Sequence, residues 1–198
     1  MLNNNLLSGK LVRLAAIDPE TSAPLWAKWR MNSEYSRLAD MDPAVLHSPK
    51  ASKEWIEKHL DDYLTHEFEI RTLQGDQVIG GIGLDGDMNV HGDAFVGIGI
   101  GEPDFWGKGY GTEAMQLILA YAFMELNLHR VSLDVFDYNP RAVRSYEKAG
   151  FKLEGRKRGM LLREGRRWDI IYMGILRTEW LEQNQAAELA AITSETLS

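Results

Sequence analysis

Three glycines at alternate positions, Gly107, Gly109 and Gly111, run straight into an apolar stretch from about Thr112 to Leu126. The length and hydrophobicity of that stretch predict a buried helix. Backbone amides at a helix start attract an anion, the helix dipole adds to the attraction, and glycines allow the anion to come close. RVSLDVF follows as a strand, and Pro140 to about Ala149 as another helix. The glycines therefore sit inside a β-α-β-α unit whose crossover joins parallel strands.

The remaining elements surround that unit. KLVRLAAI, residues 10 to 17, alternates as a first strand, and Asp18-Pro19-Glu20 starts a helix through Leu25, Trp26 and Trp29. Residues 31 to 47 show no firm period, and Ser48-Pro49 opens a second helix carrying Trp55, Ile56, His59 and Leu60. Phe68 to Leu73, QVIGGIGL and AFVGIGI form a meander with a turn at Gly75-Asp76 and a loop at DGDMNVHGD. FKLEGRKR, the turn Glu164-Gly165 and RWDIIYMGIL close the chain as a hairpin. The expected fold is mixed α/β, a single central mixed sheet flanked by helices with a closing hairpin. At 198 residues, one domain over 1–180 and a polar helical tail over 181–198 are expected.

Composition narrows the chemistry. There is no cysteine, which removes disulfides, thiolate metal sites and a cysteine nucleophile. No segment nears the roughly 20 apolar residues that span a bilayer, and MLNNNLLSGKLVRL lacks a long apolar run behind a basic start. A cytoplasmic location without a membrane partner is expected. The net charge of -7 argues against a nucleic-acid partner and mildly favours a cationic substrate.

Which anion the glycines hold has three answers. A P-loop needs four residues between its first glycine and Gly-Lys-Ser/Thr, whereas five separate Gly101 from Gly107-Lys108 and Gly109 replaces the hydroxyl that would hold magnesium. Gly109 to Ala114 satisfies the dinucleotide pattern G-x-G-x-x-A, with Asp134 or Asp137 at the next strand's end. Against it, Glu102 to Lys108 intervene between strand and first glycine, and a meander precedes. The third answer is the pyrophosphate of another nucleotide cofactor.

The run from Gly97 to Ala114, with NPRAVRSYEKAGFKLEG from Asn139 to Gly155, resembles the GCN5-related N-acetyltransferases (GNAT) and, within them, the RimJ/RimL-type branch. The family's Arg/Gln-x-x-Gly-x-Gly/Ala reads here Trp106-Gly107-Lys108-Gly109-Tyr110-Gly111, with Trp106 replacing the usual first residue. The resemblance implies direct acetyl transfer from acetyl-CoA to a primary amine, on a small molecule or a protein N-terminus, without a metal. An acyl-CoA sensor without catalysis and an NAD(P)-dependent oxidoreductase are the alternatives. A homodimer is left open.

Carried onto this chain, the resemblance implies that the amides of Gly107, Lys108, Gly109, Tyr110, Gly111 and Thr112 hold the pyrophosphate, and that Ile98, Gly99 and Ile100 pair with the pantetheine arm. Gly97, Gly99 and Gly101 also suit a strand crowded on one face by a neighbour. A β-bulge here would splay the strand and aim an N–H at the thioester oxygen. Asn139 is expected at the pantetheine, though Asn-Pro also starts helices for structural reasons alone. Arg144 is preferred over Arg141 and Lys148 as a phosphate contact. Tyr146 matches the family's general acid. Asp134 is the first candidate base and Glu102 the second, while His91 is incidental. By position, Arg30, Asn32, Tyr35 and Trp168 are candidates for the acceptor's wall.

Overall fold

The computed structural model describes residues 5–62, 64–86 and 88–185. Chain order is β1 (Val12–Ala15), α1 (Pro19–Arg30), α2 (Ser33–Ala39), α3 (Pro49–Leu60), β2 (Thr65–Thr72), β3 (Val78–Asp85), α4 (Met88–His91) and β4 (Asp93–Ile100). A 3-10 turn (Pro103–Phe105) leads to α5 (Tyr110–Met124), β5 (Arg130–Phe136), α6 (Pro140–Ala149), β6 (Lys152–Arg163) and β7 (Arg166–Leu176). Residues 177–185 are helical, and the part of the expected tail beyond 185 lies outside the described residues.

Caps fix where the first helices begin. Asp18 accepts a hydrogen bond from the Glu20 amide ahead of α1, and Ser48 Oγ accepts one from Ala51 N ahead of α3. α2 occupies a stretch in which no period was legible. Asn32 Oδ1 accepts from the amides of Glu34 and Tyr35, so this short helix is set by its cap rather than by an apolar stripe. α4 is a single turn inside the expected loop after β3.

The seven strands form one sheet in the order β1-β2-β3-β4-β5-β7-β6. Only β4 and β5 run parallel, as the crossover through α5 requires. The β6–β7 hairpin turns at Glu164 and Gly165, whose φ values of 53° and 70° suit a two-residue hairpin loop. Met115, Ile118, Leu119 and Phe123 of α5 are fully buried in a core that includes Ile82, Leu84, Val131 and Leu133. Each such side chain contributes about 1.5–3 kcal/mol, which anchors α5 over the sheet and fixes where its N-terminus points. No helix among the described residues is long and apolar enough to cross a membrane.

Candidate active site

β4 and β5 pair over only three positions, Asp93–Arg130, Ala94–Val131 and Phe95–Ser132, and then diverge. The bulge expected in β4 is absent, since β3 and β4 stay in step from Asp85–Phe95 to Gly80–Ile100. Gly101 N–H donates to Ile79 O on β3, and alternation along the strand turns the backbone groups of Ile98 and the N–H of Ile100 the other way. Trp106 Nε1 donates to Ile100 O at 2.7 Å. Ile98 therefore presents an N–H and a C=O to the opening between the strands.

That opening is a cleft of about 280 Å³. Ile98, Gly99 and Ile100 of β4 line one side, and Phe105, Trp106, Gly107, Gly109, Gly111 and Thr112 line its base. Tyr35, Leu38 and Ala39 enter from α2, while Asn139, Arg141, Ala142, Arg144, Ser145, Tyr146 and Lys148 enter from α6 and its cap. The lining carries three cationic side chains and no carboxylate.

The base of the cleft is a helix start without a side-chain cap. Gly109, at φ 93°, caps α5 without a side-chain bond, and the first helical hydrogen bond is Glu113 N to Gly109 O. The amides of Tyr110, Gly111 and Thr112 have no acceptor within the helix. Gly107, at φ 72°, shares the left-handed conformation that residues with a Cβ adopt only at a cost. Space is not the constraint at either glycine, because a Cβ at Gly107 would meet nothing within 4 Å and one at Gly109 only Leu11 Cδ1 at 3.6 Å. Gly111 is different. It lies inside the first turn of α5, two residues further into the helix than the sequence placed it.

Gly99 of β4 and Gly101 just past its end are crowded from α1 and α2. A Cβ at Gly99 would lie 2.6 Å from the Tyr35 hydroxyl, and one at Gly101 1.9 Å from Trp29 Cδ2. Crowding by α1 and α2 thus accounts for both, and Gly97 has open space.

α6 brings its candidates to the cleft in different states. Asn139 is nearly buried and its Oδ1 accepts from Ala142 N at 3.2 Å, so the carbonyl end is spent on the helix cap. Arg141 stacks on Trp106, its Cζ 4.2 Å from the ring centroid, and belongs to the lining as much as Arg144 does. Ser145 hydrogen-bonds Thr112 at 2.8 Å and ties α6 to the first turn of α5. The Arg141–Ser145–Lys148 spacing of one helix face was the available signal for these residues.

Tyr146 lines the cleft with its ring edge-on to Phe151. Burial pushes its phenol up to about 12, with the charge of nearby Asp134 adding to the effect. Burial also raises the Asp134 carboxyl above its ordinary value, while a hydrogen bond from its own backbone opposes the change. Asp134 stands outside the lining, near enough to Tyr146 for its charge to act on the phenol.

Several candidates are elsewhere. Glu102 accepts from Lys28 Nζ at 2.7 Å and Trp29 Nε1 at 2.8 Å, and the lysine bond leads in holding its carboxyl below the usual range. A carboxylate so engaged is a weaker base than Asp134, whose pKa is raised. The Lys108 side chain is exposed and the Tyr110 ring packs edge-on against Phe105, so only their backbones are at the site. Arg30 pairs with Asp40, and Asn32 is spent as the α2 cap.

Trp168 lines a second cleft of about 220 Å³, together with Ser33, Glu34, Arg37, Leu38, Tyr138, Arg163 and Glu164. Leu38 belongs to both clefts, so the two adjoin at α2.

Residues 12–152 match the family model described as the Acetyltransferase (GNAT) domain, and the chain belongs to that family. It is 30% identical over 147 residues to the SPbeta prophage-derived uncharacterized N-acetyltransferase YokL of Bacillus subtilis, covering 72% of this chain and 80% of that protein. It is 32% identical over 133 residues to the spermidine N(1)-acetyltransferase of Vibrio cholerae, covering 67% and 76%. The crystal structure of spermidine N-acetyltransferase from Vibrio cholerae in complex with CoA and spermine superposes with a TM-score of 0.76 at 28% identity, over 86% of this chain and 98% of that one. The protein is an N-acetyltransferase with acetyl-CoA as its co-substrate and an amine as its acceptor.

Proposed function

We propose that the first cleft holds acetyl-CoA and that the second receives a primary amine, which attacks the thioester directly where the two meet. The observation that carries this reading is the carboxylate-free cleft, whose lining combines three cationic residues with a helix start whose first amides lack acceptors within the helix. An electrostatic field of that kind suits a pyrophosphate in a chain whose net charge is -7. Gly107 to Thr112 hold the pyrophosphate, Arg144 with Arg141 and Lys148 meets the remaining phosphate charge, and the free edge at Ile98 and Ile100 pairs with the pantetheine amides. Asn139 turns its side-chain amide toward the arm. The Ile98 N–H is the donor nearest the strand divergence, where the thioester oxygen gains charge.

Acetyl-CoA supplies an activated acyl group, and the residues manage its protons. Tyr146 donates to the departing sulfur, and Asp134, which stands outside the lining, takes the amine's proton through a water. Trp168, Tyr35 and Leu38 shape the acceptor's path. The RimJ/RimL-type branch and the spermidine acetyltransferases both supply amine classes to test, a chain N-terminus in one case and a polyamine in the other. The whole of residues 1–180 acts as one catalytic domain.

Acetyl-CoA at a hundred times its dissociation constant is expected to stabilise the protein by about 2.7 kcal/mol, and NAD(P) by nothing measurable. Thermal unfolding with each nucleotide checks this; stabilisation by NAD(P) alone would overturn the reading. Thiol release across peptides, polyamines and amino acids then identifies the acceptor class, and silence throughout would place the acceptor outside all three. Asp134→Asn should lower kcat about tenfold at pH 7, with the deficit shrinking as the pH approaches the acceptor's own pKa, since a neutral amine no longer needs the base. A deficit constant with pH would remove Asp134 from proton transfer.

A further inference from the structure

Glu113 is the fourth residue of α5, and its carboxylate leaves the helix to meet the start of the chain. It accepts from three consecutive backbone amides: Lys10 N at 2.9 Å, Leu11 N at 2.6 Å and Val12 N at 2.8 Å. Successive amides converging on one anion make a concave site, and bonds to a charged acceptor are about twice as strong as neutral ones. The segment is shaped for this contact. Gly9 N–H donates to Val12 O at 2.8 Å, and Ser8 bridges to Arg13. A Cβ on Gly9 would lie 2.5 Å from Glu113 Cδ, so the carboxylate occupies space that any other residue would fill.

The contact lies against the anion cradle. Glu113 N donates the first helical bond of α5 to Gly109 O, and Leu11 Cδ1 is 3.6 Å from the position of a Cβ on Gly109. Residues 10–12 therefore back the turn whose front lines the cleft. That turn contains two glycines at positive φ and no side-chain cap, so little within it holds its shape. β1, which begins at Val12, is paired to β2 over four positions and gives the clamp a fixed support.

We infer that Glu113 is a positioning residue for the cofactor's pyrophosphate: by anchoring the first turn of α5 to residues 10–12, it holds the Gly107–Thr112 amides in the geometry that receives it. The inference rests on the first cleft being the acetyl-CoA site. It separates two parts of one cofactor, because the clamp acts through the glycine turn, and neither Glu113 nor residues 10–12 line the cleft in which the thioester reacts.

The test compares kcat/KM for acetyl-CoA with kcat/KM for acetyl-pantetheine, a thioester that ends before the pyrophosphate. In Glu113→Gln the ratio of the two should fall roughly tenfold from its wild-type value, through KM for acetyl-CoA. Gly9→Ala keeps Glu113 but displaces its carboxylate, should lower the ratio in the same direction, and carries the test if Glu113→Gln does not fold. A ratio within twofold of wild type in a folded variant, whether both substrates suffer or neither does, would overturn the inference. A wild-type enzyme that does not use acetyl-CoA would instead overturn the assignment of the cleft.

Discussion

Replacing Tyr146 by Phe should lower kcat about a hundredfold while KM for acetyl-CoA changes less than about threefold. The ring stays, so packing against Phe151 and the core survives, and only the hydroxyl is lost. Tyr146 lines the cleft in which the cofactor's sulfur is proposed to lie. With its phenol pushed up to about 12, handing a full proton to a thiolate whose conjugate acid lies near 8.5 is uphill by roughly 5 kcal/mol. Its contribution is therefore a hydrogen bond that strengthens as charge builds on sulfur, with the proton following as the C–S bond breaks. A rise in pH to 9 should leave the wild-type rate unharmed by Tyr146 ionisation, since burial keeps the phenol neutral there. Steady-state kinetics of both enzymes across pH 6–9 measures this, and an unchanged kcat in the Phe variant would remove Tyr146 from the chemistry.

What was legible in the chain follows the range of the interactions involved. Asp18, Ser48 and the Glu164-Gly165 turn act on neighbours within a few residues, and the elements they delimit lie where the pattern placed them. The glycine run announced a helix start, although Tyr110 rather than Thr112 is its first residue. α2 escaped because its cap, Asn32, precedes seven residues with only one that is fully buried, so no stripe accompanied the signal.

The cleft was legible where one segment supplies it and opaque where distant segments meet. Gly107, Gly109 and the Asn139 to Lys148 face come from two local motifs. Glu102 looked free because Lys28 and Trp29, its partners, are over seventy residues earlier. Glu113 carried no signal for the same reason: the amides it holds are about a hundred residues away. Asp134 could be assigned to a face by alternation, but its nearness to Tyr146 depends on how α6 returns over the diverging strands.

Gly101→Ala should destabilise the protein by about 3 kcal/mol, whereas Gly97→Ala on the same face of β4 should stay within about 0.5 kcal/mol. The added methyl at Gly101 would lie 1.9 Å from Trp29 Cδ2 and 2.4 Å from both Cε2 and Cε3, and at Gly97 it would meet nothing within 4 Å. Trp29 cannot step aside cheaply, being 3% exposed with its Nε1 bonded to Glu102. For a chain of this size the Gly101 variant should melt roughly 6–12 °C lower, which thermal unfolding without cofactor reads directly. The pair separates two causes of a glycine-rich strand. If approach of the cofactor were what excludes side chains here, neither methyl would matter to the protein alone. Equal losses in both variants would point to strand flexibility instead. A large loss confined to Gly101 makes Trp29, packed from α1 onto the outer face of β4, the reason this strand lacks a side chain there, and leaves the opposite edge at Ile98 free for the cofactor.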